Sequence, residues 1–218
     1  MKQAMTSIGR AAGTALLGAF VLLSSFSAPA PVQSAGLLVL DDYSSKDTDG
    51  FPTAWKAQRQ ETKARTQYTV QTEKGMTFLT ARDADQRVYK KIAWDPRTMP
   101  IVTWRWRIRK IQPDAEPFAA VFVTLDTDLL FIPVFTKYAW SGKKAVGTMT
   151  EGGMFSGSEI VLQSGTKGMG EWVEQRVNAY EDFKRIHRHE PAVEAWGISL
   201  QGGPGVEVDF GPIIVSAP

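Results

Sequence analysis

Apolar and polar residues alternate with a period of two along most of the chain after residue 35, whereas long helical periodicity is scarce. Because successive side chains of a β-strand point to opposite faces, this alternation predicts short strands, each buried on one side. Gly and Pro residues separate them, and Lys74-Gly75 marks a hairpin turn. The predicted strands lie near residues 37–43, 68–73, 76–82, 87–94, 101–109, 118–126, 129–140, 145–150, 159–164, 171–177, 195–201 and 206–215.

Such a series of short strands describes a sandwich or a barrel. We favour an all-β, mainly antiparallel β-sandwich that is jelly-roll-like and forms one domain over residues 36–218. One helix is expected within it, near residues 179–188. Asn178 and Glu181 have the spacing of a capping box at its start, and Pro191 is expected to stop it.

The segment Thr103–Lys110, TWRWRIRK, combines two indoles with four basic residues. On a strand, alternation separates an apolar face from an arginine face. The apolar face carries Trp104, Trp106 and Ile108, and the other carries Arg105, Arg107 and Arg109. Like charges two residues apart on one face repel unless negative groups lie opposite them.

Two hypotheses account for the arginine face. In the first, acids on neighbouring strands pair with the arginines, and the candidates are Glu159, Glu171, Glu174 and Glu207. In the second, Arg105 and Arg107 bind a carboxylated or sulfated glycan, because guanidinium groups form bidentate hydrogen bonds with such anions. Lys137, Tyr138 and Trp140 would then complete the ligand site, with the two aromatic rings as stacking platforms. An ordinary strand end at the core edge explains those rings equally well.

The first 35 residues have the composition of a cleaved signal peptide. Lys2 and Arg10 precede the apolar run Ala15–Phe26, which is too short to span a bilayer comfortably. The chain contains no cysteine, so it has neither a lipidation site nor disulfides. We therefore expect a periplasmic or secreted protein with no integral membrane span after cleavage.

The net charge of the chain bears on which kind of binding partner is expected. The chain has 25 Lys and Arg against 23 Asp and Glu, and both surplus basic residues lie in the signal peptide. The remaining domain is thus balanced, which disfavours a nucleic-acid partner. Any affinity for anions has to come from a local patch.

Signatures of catalysis are weak. The sequence lacks a Gly-x-Ser-x-Gly motif, a phosphate-binding glycine loop and a dinucleotide fingerprint. The two histidines, His187 and His189, are expected to be solvated and to point to different sides of the helix, which argues against a shared transition metal. A glycosidase would need two acids facing one cleft. By residue type alone, its candidates are Glu159, Glu171, Glu174 and Asp182.

Calcium is the one cofactor that the sequence suggests, and only weakly. The acidic segment LDDYSSKDTDG supplies carboxylates but lacks the spacing of an EF-hand loop. Its candidate ligands are Asp41, Asp42, Asp47 and Asp49. A solvated turn is the simpler interpretation, and we expect no metal and no cofactor.

An ordered series of motifs extends over about residues 37–215. The motifs are Gly50-Phe51-Pro52 with Trp55, Pro100, Trp104-Arg105-Trp106-Arg107, Tyr138-Ala139-Trp140-Ser141, Gly170-Glu171-Trp172-Val173, Arg176, Asn178-Ala179-Tyr180-Glu181-Asp182-Phe183, Pro191 and Gly197-Ile198. This series resembles a secreted bacterial family, domain of unknown function 3047. Among the motif residues we expect a structural role for Trp104, Trp106, Trp172, Asn178, Tyr180 and Glu181.

The resemblance implies an exported β-sandwich and brings no established reaction. Members usually carry an acid pair before the strand that follows the Trp-Arg-Trp-Arg motif, with an arginine inside that strand. Here Pro117 replaces one acid and Val121 replaces the arginine, so this chain lacks part of the pattern of the family. A looser likeness in strand layout is to jelly-roll carbohydrate-binding modules.

These observations favour a non-catalytic, exported protein that binds a glycan or an acidic component of the cell envelope. One alternative is a polysaccharide-active enzyme of unknown reaction. Another is a structural or assembly protein whose partner is an envelope protein.

Overall fold

In the computed structural model of the chain, which describes residues 36–127, 132–152 and 158–218, two β-sheets pack face to face. The predicted signal peptide lies outside the described residues. The first sheet contains β1 (Leu37–Asp41), β3 (Tyr68–Glu73), β4 (Met76–Arg82), β6 (Ile101–Ile111), β11 (Val173–Asn178), β13 (Val206–Phe210) and β14 (Ile213–Ser216). The second contains β2 (Lys56–Ala57), β5 (Val88–Lys91), β7 (Ala119–Thr127), β8 (Pro133–Ser141), β9 (Met149–Thr150), β10 (Ser158–Ser164) and β12 (Gly197–Gly202).

The strand pairing confirms the predicted jelly-roll-like β-sandwich. Strand β6 lies inside the first sheet, with β11 on one edge and β13 followed by β14 on the other. The second sheet has the order β2-β5-β12-β7-β8-β10-β9. All of its ladders are antiparallel except that between β8 and β10. Connections pass repeatedly from one sheet to the other, so neighbours in sequence often lie in opposite layers.

The core between the sheets is rich in aromatic rings. Trp104 and Trp106 of β6 are fully buried, and their rings contact each other edge to face at 5.5 Å. Across the core, Trp104 lies 5.7 Å from the ring of Tyr138, and Trp106 lies 5.8 Å from that of Trp140. Large rings at these separations bury much apolar area and favour tilted packing. This confirms that the indole face of β6 points inward.

Two helices are described, α1 (Glu61–Gln67) and α2 (Ala179–His187), so the expectation of a single helix is wrong. Gln60, the residue before helix α1, forms no side-chain cap, and the sequence therefore carries no capping signal for this helix. Helix α2 has the predicted cap, because Asn178 Oδ1 accepts a hydrogen bond from the Glu181 backbone N–H at 3.0 Å. The helix ends at His187, because Arg188 adopts the left-handed conformation. Pro191 lies beyond this end and is not the residue that stops the helix.

The predicted hairpin turn is also confirmed. Lys74 and Gly75 join β3 to β4 with φ angles of +50° and +80°. Two consecutive positive φ angles are typical of a type I′ turn, whose twist matches that of the strands. None of the described helices is long and apolar enough to cross a membrane.

Candidate functional site

The predicted ligand residues lie in three different layers of the sandwich. Arg105 and Arg107 are on the outer face of the first sheet, whereas Lys137 is on the outer face of the second. Tyr138 and Trp140 point into the core between them, and both are fully buried. Alternation along β8 explains the separation, since Lys137 and Tyr138 are neighbours and must face opposite ways. The structure therefore does not bring these residues together into one site.

The two aromatic residues are structural, which corrects the expectation that they are stacking platforms. The Tyr138 hydroxyl donates to Asp182 Oδ2 at 3.0 Å, and Trp140 Nε1 donates to the Gly165 carbonyl at 2.9 Å. Burial raises the pKa of Tyr138 well above its ordinary value. Burial also raises the pKa of Asp182, although Tyr138 and Arg185 act in the opposite direction.

Arg107 is the centre of a buried ionic cluster on the outer face of the first sheet. Its Nε and Nη2 donate to Asp209 Oδ2 at 3.0 and 2.8 Å, and Nη2 also donates to Glu73 at 2.6 Å. Asp209 is completely buried, and Thr80 donates to its other oxygen at 2.8 Å. The guanidinium lies against Trp172, with its Cζ 4.5 Å from the ring centre. The positive charge of Arg107 is therefore paired with two carboxylates of the same chain.

The other arginines of β6 are paired as well. Arg105 donates to Glu174 on β11 at 3.0 Å, and Arg109 lies 3.9 Å from Glu207 on β13. These contacts agree with the hypothesis that cross-strand acids oppose the arginines. The sequence indicated Glu174 and Glu207 but missed Glu73 and Asp209. Of the other two candidates, Glu159 lies on the second sheet, and Glu171 forms no ion pair with an arginine among the described residues.

The remaining motif residues also have structural partners. Besides Arg107, Trp172 contacts the Phe78 ring edge to face at 5.5 Å. The Tyr180 hydroxyl donates to Glu190, and Glu181 lies 3.7 Å from Lys184 within the same helix. None of these contacts forms a ligand site.

The four weak calcium candidates are engaged by protein groups. Asp41 accepts hydrogen bonds from Trp55 Nε1 at 2.9 Å and from Lys90 at 2.7 Å, and Asp42 accepts one from the Ser44 backbone. Asp47 pairs with Arg65, and Asp49 lies 3.9 Å from the same guanidinium. Within the described ranges, no group of three or more acidic, His or Cys side chains is placed to hold a metal ion.

The outer face of the second sheet carries a different combination of side chains. Directly paired residues share a face, and the strand registers align one residue from each of the seven strands. With strands about 4.8 Å apart, this row is about 29 Å long. We call it the central row, and it consists of Lys56, Tyr89, Ser199, Phe122, Lys137, Glu159 and Thr150.

One end of the central row is an ionic cluster. Glu159 accepts hydrogen bonds from both Lys137 and Lys144. Burial opposes the ionisation of Glu159, but the two lysines outweigh it and hold the pKa below its ordinary value. Because one carboxylate faces two ammonium groups, a positive charge is left at this end.

Near the other end of the row, Tyr89 forms an aromatic pair with Trp196, which lines a groove. The Tyr89 ring lies 5.7 Å from that of the half-buried Trp196, and Lys91 Nζ is 4.7 Å from the centre of the same indole. The groove has a volume of about 470 Å³. It is lined by Lys91, Ile92, Ala93, Asp126, Thr127, Ala192, Glu194, Ala195 and Trp196.

Gly197 permits the close approach of β12 and β5 beside Trp196. Its φ is +148°, and an added Cβ would lie only 2.2 Å from the Lys90 carbonyl oxygen. A side chain at this position would therefore force the two strands apart. Gly197 therefore allows the backbones of β12 and β5 to lie close together next to the Trp196 indole.

Between the two ends, Arg87 lies across the face. Its Cζ is 4.6 Å from the ring centre of Phe122 and 4.9 Å from that of Phe135, and Nε donates to Gln58 Oε1 at 3.2 Å. Arg87, Tyr89 and Trp196 were not among the predicted site residues. Alternation along a strand puts Arg87, Tyr89 and Lys91 on one face, but strand pairing is needed to show which residues adjoin them.

Comparison with known proteins supports the family resemblance over part of the chain. The family model described as "Protein of unknown function (DUF3047)" matches residues 134–200. The matched residues run from β8 to β12 and include the motifs at Tyr138, Trp172 and Asn178. The chain has no match among curated proteins.

Several solved structures are similar at low score. The K2 cleaved adhesin domain of Lys-gingipain has a TM-score of 0.43 at 12% identity, over 82% of this chain and 98% of that one. Endoglucanase cel12A from Rhodothermus marinus has 0.43 at 10%, over 68% and 84%. A non-crystalline cellulose specific carbohydrate-binding module, CBM28, has 0.39 at 14%, over 79% and 89%. Because these TM-scores are low, we base the β-sandwich assignment on the strand pairing and not on these similarities.

Proposed function

We propose that this chain is an exported, non-catalytic glycan-binding protein of the periplasm or cell envelope, and that its ligand lies along the outer face of the second sheet. The observation that carries the proposal is the aromatic pair Tyr89 and Trp196 beside the groove, continued by the polar central row. Aromatic rings offer an apolar surface to the C–H face of a sugar, and the half-buried Gln201 beside the central row offers an amide for its hydroxyls. The predicted signal peptide supports export.

The two sheets differ in how completely their charges are paired. On the first sheet, Arg107 and Arg105 have carboxylate partners at 2.6–3.0 Å. On the second sheet, Glu159 is the carboxylate partner of both Lys137 and Lys144, and Lys91 packs against the indole ring of Trp196. We therefore assign the ligand surface to the second sheet, in place of the arginine face that the sequence suggested.

A glycan array screened at two salt concentrations, followed by titration of the best ligand, tests the proposal. Trp196→Ala and Tyr89→Ala are expected to weaken binding at least about tenfold, because each removes a stacking surface. Trp172→Ala is the matched control, since it removes a half-buried indole from the other sheet. Binding of no neutral or acidic glycan by the wild type would refute the proposal, as would an equal loss in the control.

The polysaccharide-active enzyme is kept as a second candidate because Asp126 and Glu194 line the same groove. Paired carboxylates in one cleft are what glycoside hydrolysis requires. New reducing ends appearing during incubation with the bound polysaccharide, and their loss in Asp126→Asn, would favour catalysis over binding alone.

A further inference from the structure

Arg87 and Arg107 occupy similar surroundings on opposite outer faces of the sandwich. Each guanidinium lies against two aromatic rings, Phe122 and Phe135 for Arg87, and Phe78 and Trp172 for Arg107. Rings within about 6 Å of a cation attract it and restrict its position. Both arginines are thus held in a fixed place by their sheets.

The two sites differ in the anions that surround them. Arg107 is bonded to Asp209 and Glu73, whereas no carboxylate among the described residues lies within 4.0 Å of Arg87. Burial lowers the pKa of Arg87, while at Arg107 the two acids outweigh burial and raise it. A partly buried cation without a counter-ion is costly, and an anion placed beside it gains a strong interaction.

The guanidinium of Arg87 also has unused hydrogen-bonding capacity. Within the described part of the chain, its one hydrogen bond is from Nε to Gln58. The two Nη groups can therefore donate side by side to a pair of oxygen atoms. Planar, bidentate donation of this kind matches carboxylate and sulfate groups.

We propose that Arg87 binds an oxyanion of the ligand, so that the protein selects an acidic saccharide bearing a carboxylate or a sulfate. This deepens the proposed function and rests on it, because the saccharide would extend from Arg87 to Tyr89 and Trp196. Arg87 and Tyr89 are two residues apart on one face, about 7 Å along the strand, and Tyr89 contacts Trp196. The rings of Phe122 and Phe135 hold the guanidinium in position before the ligand arrives.

The test is a calorimetric titration with three probes: oligogalacturonate, its methyl-esterified neutral form and a sulfated dextran oligosaccharide. Wild-type protein is expected to bind at least one charged probe about 10- to 100-fold more tightly than the neutral probe. The charged probe that binds more tightly distinguishes carboxylate from sulfate. Arg87→Met is expected to lower the affinity for the charged probe to that for the neutral probe, and Arg87→Lys to keep part of the preference.

Arg105→Met is the matched control, because it removes an exposed arginine from the other sheet, and its preference should equal that of the wild type. The thermal unfolding of every variant shows whether it is folded. Equal binding of charged and neutral probes by the wild type, or an unchanged preference in Arg87→Met, overturns this inference and leaves the proposed function standing. Binding of none of the three overturns it too, while a neutral ligand from the array would still support the proposed function.

Discussion

Removal of the Arg107 guanidinium is expected to be the most damaging single change on the outer face of the first sheet. In Arg107→Met, Asp209 remains completely buried but loses both hydrogen bonds that the guanidinium donates to its Oδ2. Removing one member of a buried ion pair costs about 3–5 kcal/mol. Thr80 still donates to Asp209, and Arg109 lies 3.5 Å from it. These contacts place the expected loss at the lower end, about 3 kcal/mol.

Urea unfolding followed by tryptophan fluorescence measures this loss. Arg105→Met is the control, and it is expected to change the free energy of unfolding by at most about 1 kcal/mol, because its pair with Glu174 is exposed. The double variant Arg107→Met, Asp209→Asn should recover about 1–2 kcal/mol, since it no longer buries an unpaired charge. A loss below about 1 kcal/mol in Arg107→Met at an unchanged m-value, or no recovery in the double variant, would refute the reasoning.

Two further predictions concern helix α2. Burial, and then the nearby His189, lower the pKa of His187, although the Phe135 backbone and Asp126 act in the opposite direction. Its contribution to stability is present above the unfolded value of about 6.5 and is lost as pH falls through the folded value. His187→Phe should therefore flatten the fall in Tm between pH 7 and pH 5, and a slope equal to that of the wild type would contradict this. Asn178→Ala should cost about 1 kcal/mol in urea unfolding through loss of the cap to Glu181, whereas Asn178→Asp, which keeps a capping oxygen, should cost less.

The fold was predictable from the sequence where the structure depends on neighbouring residues, as in the alternation along a strand or the residues of a tight turn. Strands β3 and β4 have the bounds that the alternation predicts, and Lys74-Gly75 forms the turn between them. The segment 206–215 was predicted as one strand but is divided in two, because Gly211 and Pro212 interrupt β13 and β14. Strand β2 has only two residues and is defined by its pairing with β5, which a single segment does not reveal.

The histidines show how the end of a helix changes a prediction. They were expected to be solvated on different sides of one helix, but α2 ends at His187. Both rings contact Phe183, at 4.3 Å for His187 and 5.2 Å for His189. The half-buried His187 is therefore not a solvated residue, which corrects that expectation.

The candidate site was less predictable than the fold because it depends on which strands are neighbours. Alternation gave the correct faces of β6, but it did not show that Asp209 and Glu73 would reach Arg107 from β13 and β3. Lys137 and Trp140 are three residues apart and lie on opposite faces of β8. Tyr89, Ser199 and Phe122 come from distant parts of the sequence and meet only through the register of β5, β12 and β7.

The central claim is that the outer face of the second sheet binds the ligand, and a crystal structure of the protein with its best oligosaccharide from the array tests it most directly. We predict sugar rings against Trp196 and Tyr89, with the saccharide extending from them toward Arg87. An oligosaccharide bound at the Arg105 and Arg107 face of the first sheet, with the central row vacant, would contradict the account.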